Sequence, residues 1–409
     1  MNLDLNIKSL SIVFSGMILA GLSGLSVAMD FYFSGFGTIG VSCFSNDDAD
    51  FRRDDVPKGP GRTHRCSGEL DSKLGIQGDW QLTDELAGSL QATAIHNTDD
   101  NFEPQLTMAN LRWEFTDDWK LRVGRMQNPN FLYSEYRNVT YAQPWARPPG
   151  EVYNMLPTFL HDGIELLHTS QVKGWKLEYH MGLAQSDFNF PLSNTAQSLD
   201  VTIQTSYLNI TAEKGPWLLK AGVAPSRADA SSPMVEMLLA GLRGSGEFAL
   251  ANDIEIKDKP YTLYSAGFSY DDGIWIFGGE LLTRPTEGFV QQPTTGYLMA
   301  GKRFGPWMPY ASVARLTGRQ DDARNTLPAA HPMFAQVEGL LSSTHDLDRT
   351  TLSVGFSREL TDQFILKVQA DFIKPDQNSF GDYINHSANY DFADPGVDTL
   401  FTVNLDFVF

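Results

Sequence analysis

Every second residue of the segment TLFTVNLDFVF is apolar. Phe401, Val403, Leu405, Phe407 and Phe409 form the row; Thr402, Asn404 and Asp406 alternate with it, and Val408 alone breaks the polar set. This period places all five on one face of a β-strand. The row closes the sequence on a bare aromatic ring, although chain ends usually fray in water. An apolar surrounding resolves this, and hydrocarbon is the surrounding that most restricts a fold. There every backbone amide and carbonyl must find a partner, so a sheet that crosses must close on itself. The expectation is that the last strand pairs with FYFSGFGTIGVS near the start, with its apolar row facing lipid and Phe409 at the periplasmic rim.

The rest of the chain keeps a beat of strand, short turn, strand, long loop. Polar or Gly-rich turns stand at Thr83-Asp84-Glu85, Thr116-Asp117-Asp118, Val172-Lys173-Gly174, Glu213-Lys214-Gly215-Pro216, Asp271-Asp272-Gly273, Gly305-Pro306 and Thr361-Asp362-Gln363, each joining two segments of strand length. About sixteen strands are expected, near 31–42, 67–81, 86–97, 106–116, 119–127, 161–169, 174–185, 199–212, 216–224, 259–271, 274–284, 295–304, 307–316, 347–359, 363–373 and 397–409. In the second, Leu70, Leu74, Ile76 and Trp80 oppose Asp71, Lys73, Gln77 and Asp79. In the fourth, Leu111, Trp113 and Phe115 oppose Asn110, Arg112 and Glu114; in the fifteenth, Leu366, Val368 and Phe372 oppose Lys367, Gln369 and Asp371. A soluble sandwich shares that period. Short turns alternating with long loops point instead to a transmembrane antiparallel β-barrel. Trp80, Trp119, Trp175, Trp217, Trp275 and Trp307 all lie beside short turns, as an interfacial aromatic girdle requires.

Composition bounds the alternatives. The chain has 409 residues, 42% of them hydrophobic, with a mean hydropathy of -0.25. It carries no apolar run near the length of a membrane-spanning helix beyond residue 29. No linker or repeat divides it. A net charge of -19 without a basic stripe excludes nucleic acid as a partner. Residues 1–28 read as a signal peptide, with Lys8 before the apolar SIVFSGMILAGLSGL and a small-residue cleavage site at Ser26-Val27-Ala28; the barrel domain then covers 29–409. The two cysteines, Cys43 and Cys66, bracket the first external loop, and in an exported chain they are expected to form a disulfide.

The first strand FYFSGFGTIGVS, the fifth strand LRVGRM with Gly124-Arg125, the long segment after it and the terminal Phe409 together resemble Gram-negative outer-membrane porins over the whole mature chain. The resemblance implies a sixteen-stranded homotrimer in the cell outer membrane, passing small hydrophilic solutes and ions through a water-filled channel. Outer-membrane lipid and lipopolysaccharide would surround it, and the barrel-assembly machinery would recognise its last strand through Phe409. It further implies that the third external loop, near 128–160, folds inward and narrows the pore. PMVEMLLAGLRGSGEFALAND, within the fifth loop near 225–258, reads as a helical turn or two without a place in that plan.

Candidate pore residues follow from facing. Arg112 and Arg122 lie four to five residues from a shared turn on adjacent strands and should stand side by side on the lumen wall, with Lys73 and Lys120 facing the same way. In the third loop Arg137 and Arg147 are expected to face the passing solute, with Glu135 and Glu151 available to pair with them. Tyr133, Tyr136, Tyr141, Trp145 and Tyr153 make that loop aromatic; they either stack on sugars, giving a channel that prefers carbohydrate or anions, or pack the loop against the wall. No metal or cofactor is expected. His96, His161, His168 and His180 show no metal-ligand spacing and no serine partner, which disfavours a barrel enzyme. A structural or adhesive barrel would be separated from a channel by its lack of conductance. Gly35-Phe36-Gly37-Thr38-Ile39-Gly40 matches a dinucleotide-binding spacing but lies inside a strand, where glycines ease close packing.

Overall fold

The computed structural model describes residues 30–53, 56–156, 158–191, 198–286, 292–319, 325–342 and 347–409. The expected signal peptide lies outside them. The strands are β1 (Asp30–Phe44), β2 (Lys73–Gln81), β3 (Leu86–Ile95), β4 (Gln105–Thr116), β5 (Trp119–Gln127), β6 (Leu160–Val172), β7 (Trp175–Pro191) and β8 (Ser198–Lys214). They continue with β9 (Trp217–Ser231), β10 (Ile256–Asp271), β11 (Trp275–Thr283), β12 (Gln292–Lys302), β13 (Trp307–Arg319), β14 (Arg349–Thr361), β15 (Phe364–Pro375) and β16 (Asp398–Val408). Each pairs antiparallel with the next, and β16 pairs with β1. The sheet is therefore a closed sixteen-strand barrel, with every strand near its expected place. Trp119, Trp175, Trp217, Trp275 and Trp307 are the first residues of β5, β7, β9, β11 and β13, which sets them on the short-turn rim.

The differences are local. β2 begins at Lys73, not at 67. Cys66–Ser67 instead forms a short pairing with β1, and Leu70 and Asp71 belong to the first loop, where both are buried. Cys43 and Cys66 are bonded to each other; closing such a loop stabilises the fold by about 3 kcal/mol in the chain-entropy model. The fifth loop contributes no extra strand. It holds two of the four α-helices among the described residues, α1 (Gly150–Tyr153), α2 (Pro233–Gly244), α3 (Phe248–Ile254) and α4 (Phe334–Ser342). Ser232 caps α2 by accepting from Val235 N. Leu238, Leu242, Leu250 and Ile254 of α2 and α3 share an apolar core with Val337 and Leu340 of α4, so the fifth and seventh loops form one outer unit.

The closing seam shows how the sequence specifies the barrel. Register runs from Phe36↔Val408 to Phe44↔Leu400, and Gly35 and Phe409 exchange backbone hydrogen bonds of 2.8 and 3.0 Å beyond it. Ile39 and Phe401 on the outer face are 64% and 46% exposed, whereas Thr402, Asn404 and Asp406 on the inner face are fully buried. Gly35 and Gly37 of the first strand are slots for aromatic rings. A Cβ on Gly35 would lie 2.2 Å from Phe409, and one on Gly37 would lie 2.3 Å from Phe407. Gly37→Val should therefore expel the Phe407 ring and cost about 1–3 kcal/mol, in the range of overpacking. A reduced heat-resistant, fast-migrating fraction on gels is the expected readout; an unchanged fraction would show that the seam tolerates a side chain there.

Candidate functional site

The third external loop, L3 (residues 128–159), leaves β5 at Gln127 and returns at Leu160. Its aromatic residues give it a core of its own. Trp145 is fully buried, with Tyr133 at 5.2 Å on one side and Tyr297 of β12 at 5.5 Å on the other; Tyr153 packs edge-on to Phe131 at 5.5 Å. Packing is thus what Tyr133, Trp145 and Tyr153 do. Tyr141 reaches further, donating its hydroxyl to the carbonyl of Asp362 at 2.6 Å. Asp362 lies in a short turn, so L3 descends through the barrel to the opposite rim.

Polar contacts fix L3 to the inner wall along its length. Glu280 of β11 accepts from Leu132 N and the Tyr297 hydroxyl, both at 2.9 Å, and from the Tyr153 hydroxyl. Asn130 bonds Asn209 of β8 at 3.1 Å and accepts from Ser265 of β10 at 2.9 Å. On the other flank Lys367 of β15 donates to the carbonyls of Thr140 and Gln143 while paired with Asp406 at 3.0 Å. Asn404 donates to the Ala146 carbonyl at 2.9 Å. A loop carrying this many unpaired backbone groups can sit inside a barrel only if the wall supplies partners.

Arg147, expected to face solute, is buried, and Glu151, expected to pair with a loop arginine, pairs with a wall arginine instead. The Arg147 guanidinium is buried; it donates to both carboxylate oxygens of Asp71 and, at 3.0 Å each, to Ser42 and Thr402. Glu151 is buried against Arg349 of β14 at 2.7 Å. A charge on a loop pressed to the wall is stable only with a counter-charge there, which is why both side chains turn to wall and first-loop partners instead of the lumen. Arg112 and Arg122 are indeed opposite each other in register, but the wall they form is compensated. Arg112 and Lys120 share Glu114 at 3.2 and 2.9 Å, and Arg122 bridges Glu165 of β6 to Glu135 of L3. Lys73 and Arg137 line a cavity of about 30 Å³ with Arg53 and Asp71, and Arg137 stacks 3.3 Å over the Phe159 ring. His180 stands between Glu165 and Glu178 at 3.1 and 3.0 Å. Sequence reasoning missed Asp71, Glu280, Arg349, Lys367 and Asp406 as loop anchors. Asp71, Lys367 and Asp406 carried a signal, as polar residues opposite the apolar row in alternating segments; Glu280 and Arg349 did not.

No protein-family model matches the chain, and neither does the sequence of any curated protein. Solved structures do. An anion-selective porin from Comamonas acidovorans is 13% identical with a TM-score of 0.54, covering 93% of this chain and 100% of that one. The outer membrane channel DcaP of Acinetobacter baumannii is 12% identical, TM-score 0.53, over 95% and 100%. The trimer form of OmpT, an outer membrane protein of Vibrio cholerae, is 11% identical, TM-score 0.52, over 94% and 100%. The fold is that of Gram-negative outer-membrane porins.

Two predictions rest on the Asp71–Arg147 clamp. Burial alone would raise the Asp71 carboxyl, but Arg147 beside it outweighs this and holds it below the ordinary carboxylate range. A folded value below the unfolded one contributes stability that is full above the unfolded pKa and lost as pH falls through the folded one. L3 should therefore resist chymotrypsin equally at pH 7 and 5 and become cleavable only well below about pH 4, the unfolded carboxylate value. Arg147→Met, which leaves Asp71 and Asp371 buried without their cation, should cost about 3–5 kcal/mol and expose L3 to the protease at neutral pH. Equal digestion of variant and parent would mean that the clamp does not hold the loop.

Proposed function

We propose that this protein is an outer-membrane channel through which small hydrophilic solutes and ions diffuse passively. The observation that carries the reading is L3: it lies inside the barrel and is fastened along the β8–β16 side. The β2–β7 side it leaves presents water-exposed charge, with the Arg112 side chain 47% exposed beside Glu114, which Lys120 also meets. A lumen lined this way holds water and conducts. Because Arg112, Lys120 and Arg122 each have a carboxylate within ion-pair distance, the reading includes weak ion selectivity instead of the anion preference a bare basic wall would give. Homotrimers, surrounded by lipid and lipopolysaccharide and inserted through recognition of the strand ending in Phe409, belong to the same reading. A second reading, a channel that favours sugars, draws on Tyr136 and Tyr141, which line a cavity of about 280 Å³ with Asp271, Arg303 and Lys367. Maltose block of single-channel current would favour it.

Purified protein in planar bilayers should give discrete conductance steps; a folded barrel without them would end the channel reading and favour a structural role. Arg112→Glu should move the reversal potential in a salt gradient toward cations, because low-dielectric walls focus the field of a charge inside the lumen. Arg65→Glu should move it far less. Arg65 is an exposed first-loop residue paired with Asp47, and its charge is screened within about 8 Å at physiological salt. Equal shifts from both variants would place the selective region outside the barrel.

A further inference from the structure

The first external loop, L1 (residues 45–72), and the eighth, L8 (residues 376–397), are not separate. Asp50 and Phe51 pair as a short ladder with Ile384 and Tyr383. Phe44, Phe51, Leu70, Tyr383 and Tyr390 share a core. Arg52 reaches Asp382 at 2.8 Å, Asn385 donates to Asp50 at 2.8 Å, and the Ser387 amide donates to the Asp48 carbonyl at 2.7 Å. L1 follows β1 and L8 precedes β16, so this unit stands over the closing seam.

The unit touches L3 at two arginines. Arg349 is 1% exposed. Its guanidinium donates to Glu151 of L3 at 2.7 Å and to the Gly381 carbonyl of L8 at 2.6 Å, and lies 3.3 Å from Asp382. Asp382 is thus shared between Arg349 and Arg52. Arg147 of L3 is clamped by Asp71 at the end of L1 and lies 5.4 Å over the Phe51 ring. A planar guanidinium presents its donors in a fixed fork, so one Arg349 position satisfies L3 and L8 together. Moving L8 away would leave a buried cation half satisfied, which is costly.

We propose that Arg349 is a positioning residue that locks L3 to the outer L1–L8 unit, so that the outer loops set the width of the passage. This rests on the channel reading for its functional meaning, but its mechanical part does not. Two ends of L3 should respond differently: residues 145–154 carry Arg147 and Glu151, which tie the loop to Asp71 of L1 and to Arg349, whereas 129–134 are fixed to the wall by Asn209, Ser265 and Glu280.

Hydrogen exchange of the detergent-folded barrel tests this without reference to conduction. Arg52→Gln alters the L1–L8 contact and leaves Arg349 and Arg147 in place. It should speed amide exchange in 145–154 roughly tenfold, equivalent to about 1.4 kcal/mol, and leave 129–134 unchanged. Arg349→Met should do so more strongly. In bilayers both variants should raise single-channel conductance in the same order, with heat-modifiability confirming that each barrel has folded. If Arg52→Gln leaves exchange at 145–154 at the parental rate, the wall alone holds L3 and the coupling is overturned, even where Arg349→Met loosens the loop or fails to fold. Faster exchange from Arg52→Gln with parental conductance would keep the mechanical lock and remove its control of the passage. A parent protein that folds without conducting would defeat the channel reading while the exchange result still decided the lock.

Discussion

Closure is the constraint from which the rest follows. A spanning sheet cannot leave an edge, yet the strands that must meet come from opposite ends of the chain and pay the entropy of a long loop. The sequence reinforces that one seam from three directions. Outside, Phe407 and Phe409 fill slots made by Gly37 and Gly35. Above, the L1–L8 unit straddles it and the Cys43–Cys66 bond ties L1 to the first strand. Inside, Thr402, Asn404 and Asp406 are fully buried beneath L3. The Gly-rich first strand is therefore a shape complement to the last.

The anchoring charges work as sets. Arg147 meets Asp71 and, at 3.6 Å, Asp371; Lys367 meets Asp406; Arg349 meets Glu151 and Asp382. Buried pairs of this kind add little net stability over well-packed apolar groups, but removing one partner is costly. Their contribution is geometric: they permit one seating of L3. On the channel reading, the separate pairing of Arg112, Lys120 and Arg122 with carboxylates would leave a passing ion little net field.

What was legible in the sequence is what local periodicity encodes. The beat of strand, short turn and long loop placed all sixteen strands, alternation was clear in several of them, and Trp119, Trp175 and Trp217 marked the level of the short rim. Register from a tight turn correctly set Arg112 beside Arg122. Pairings across the lumen were not legible. Glu151 and Thr351 are 200 residues apart, and barrel stagger, which no local pattern reveals, decides that they meet. Asp71 continued the alternation of the second strand but was drawn into L1 by Leu70, which packs in the L1–L8 core. Arg147 looked like a pore residue because its partners, Asp71 and Thr402, lie in segments that read as strands facing open water. Arg52, which sequence position alone would leave in solvent, is bound to Asp382 for the same reason.

These contacts make the barrel asymmetric, and on the channel reading the asymmetry locates the passage. Strands β14, β15, β16 and β1 carry L3 on their inner face and adjoin the L1–L8 unit above; β8 and β10 to β13 carry the other flank of L3. The inner faces of β2 to β7 are left with one L3 contact, the Glu135–Arg122 bridge, among the ion pairs of the described residues. There the charged side chains lie next to water, as Arg112, Glu114 and Lys120 do. A barrel whose sixteen strands were lined uniformly would have a wide central lumen. On the channel reading, fastening one loop to a single sector confines water and ions to the sector opposite, so the residues that close the barrel would also determine which residues a solute can meet.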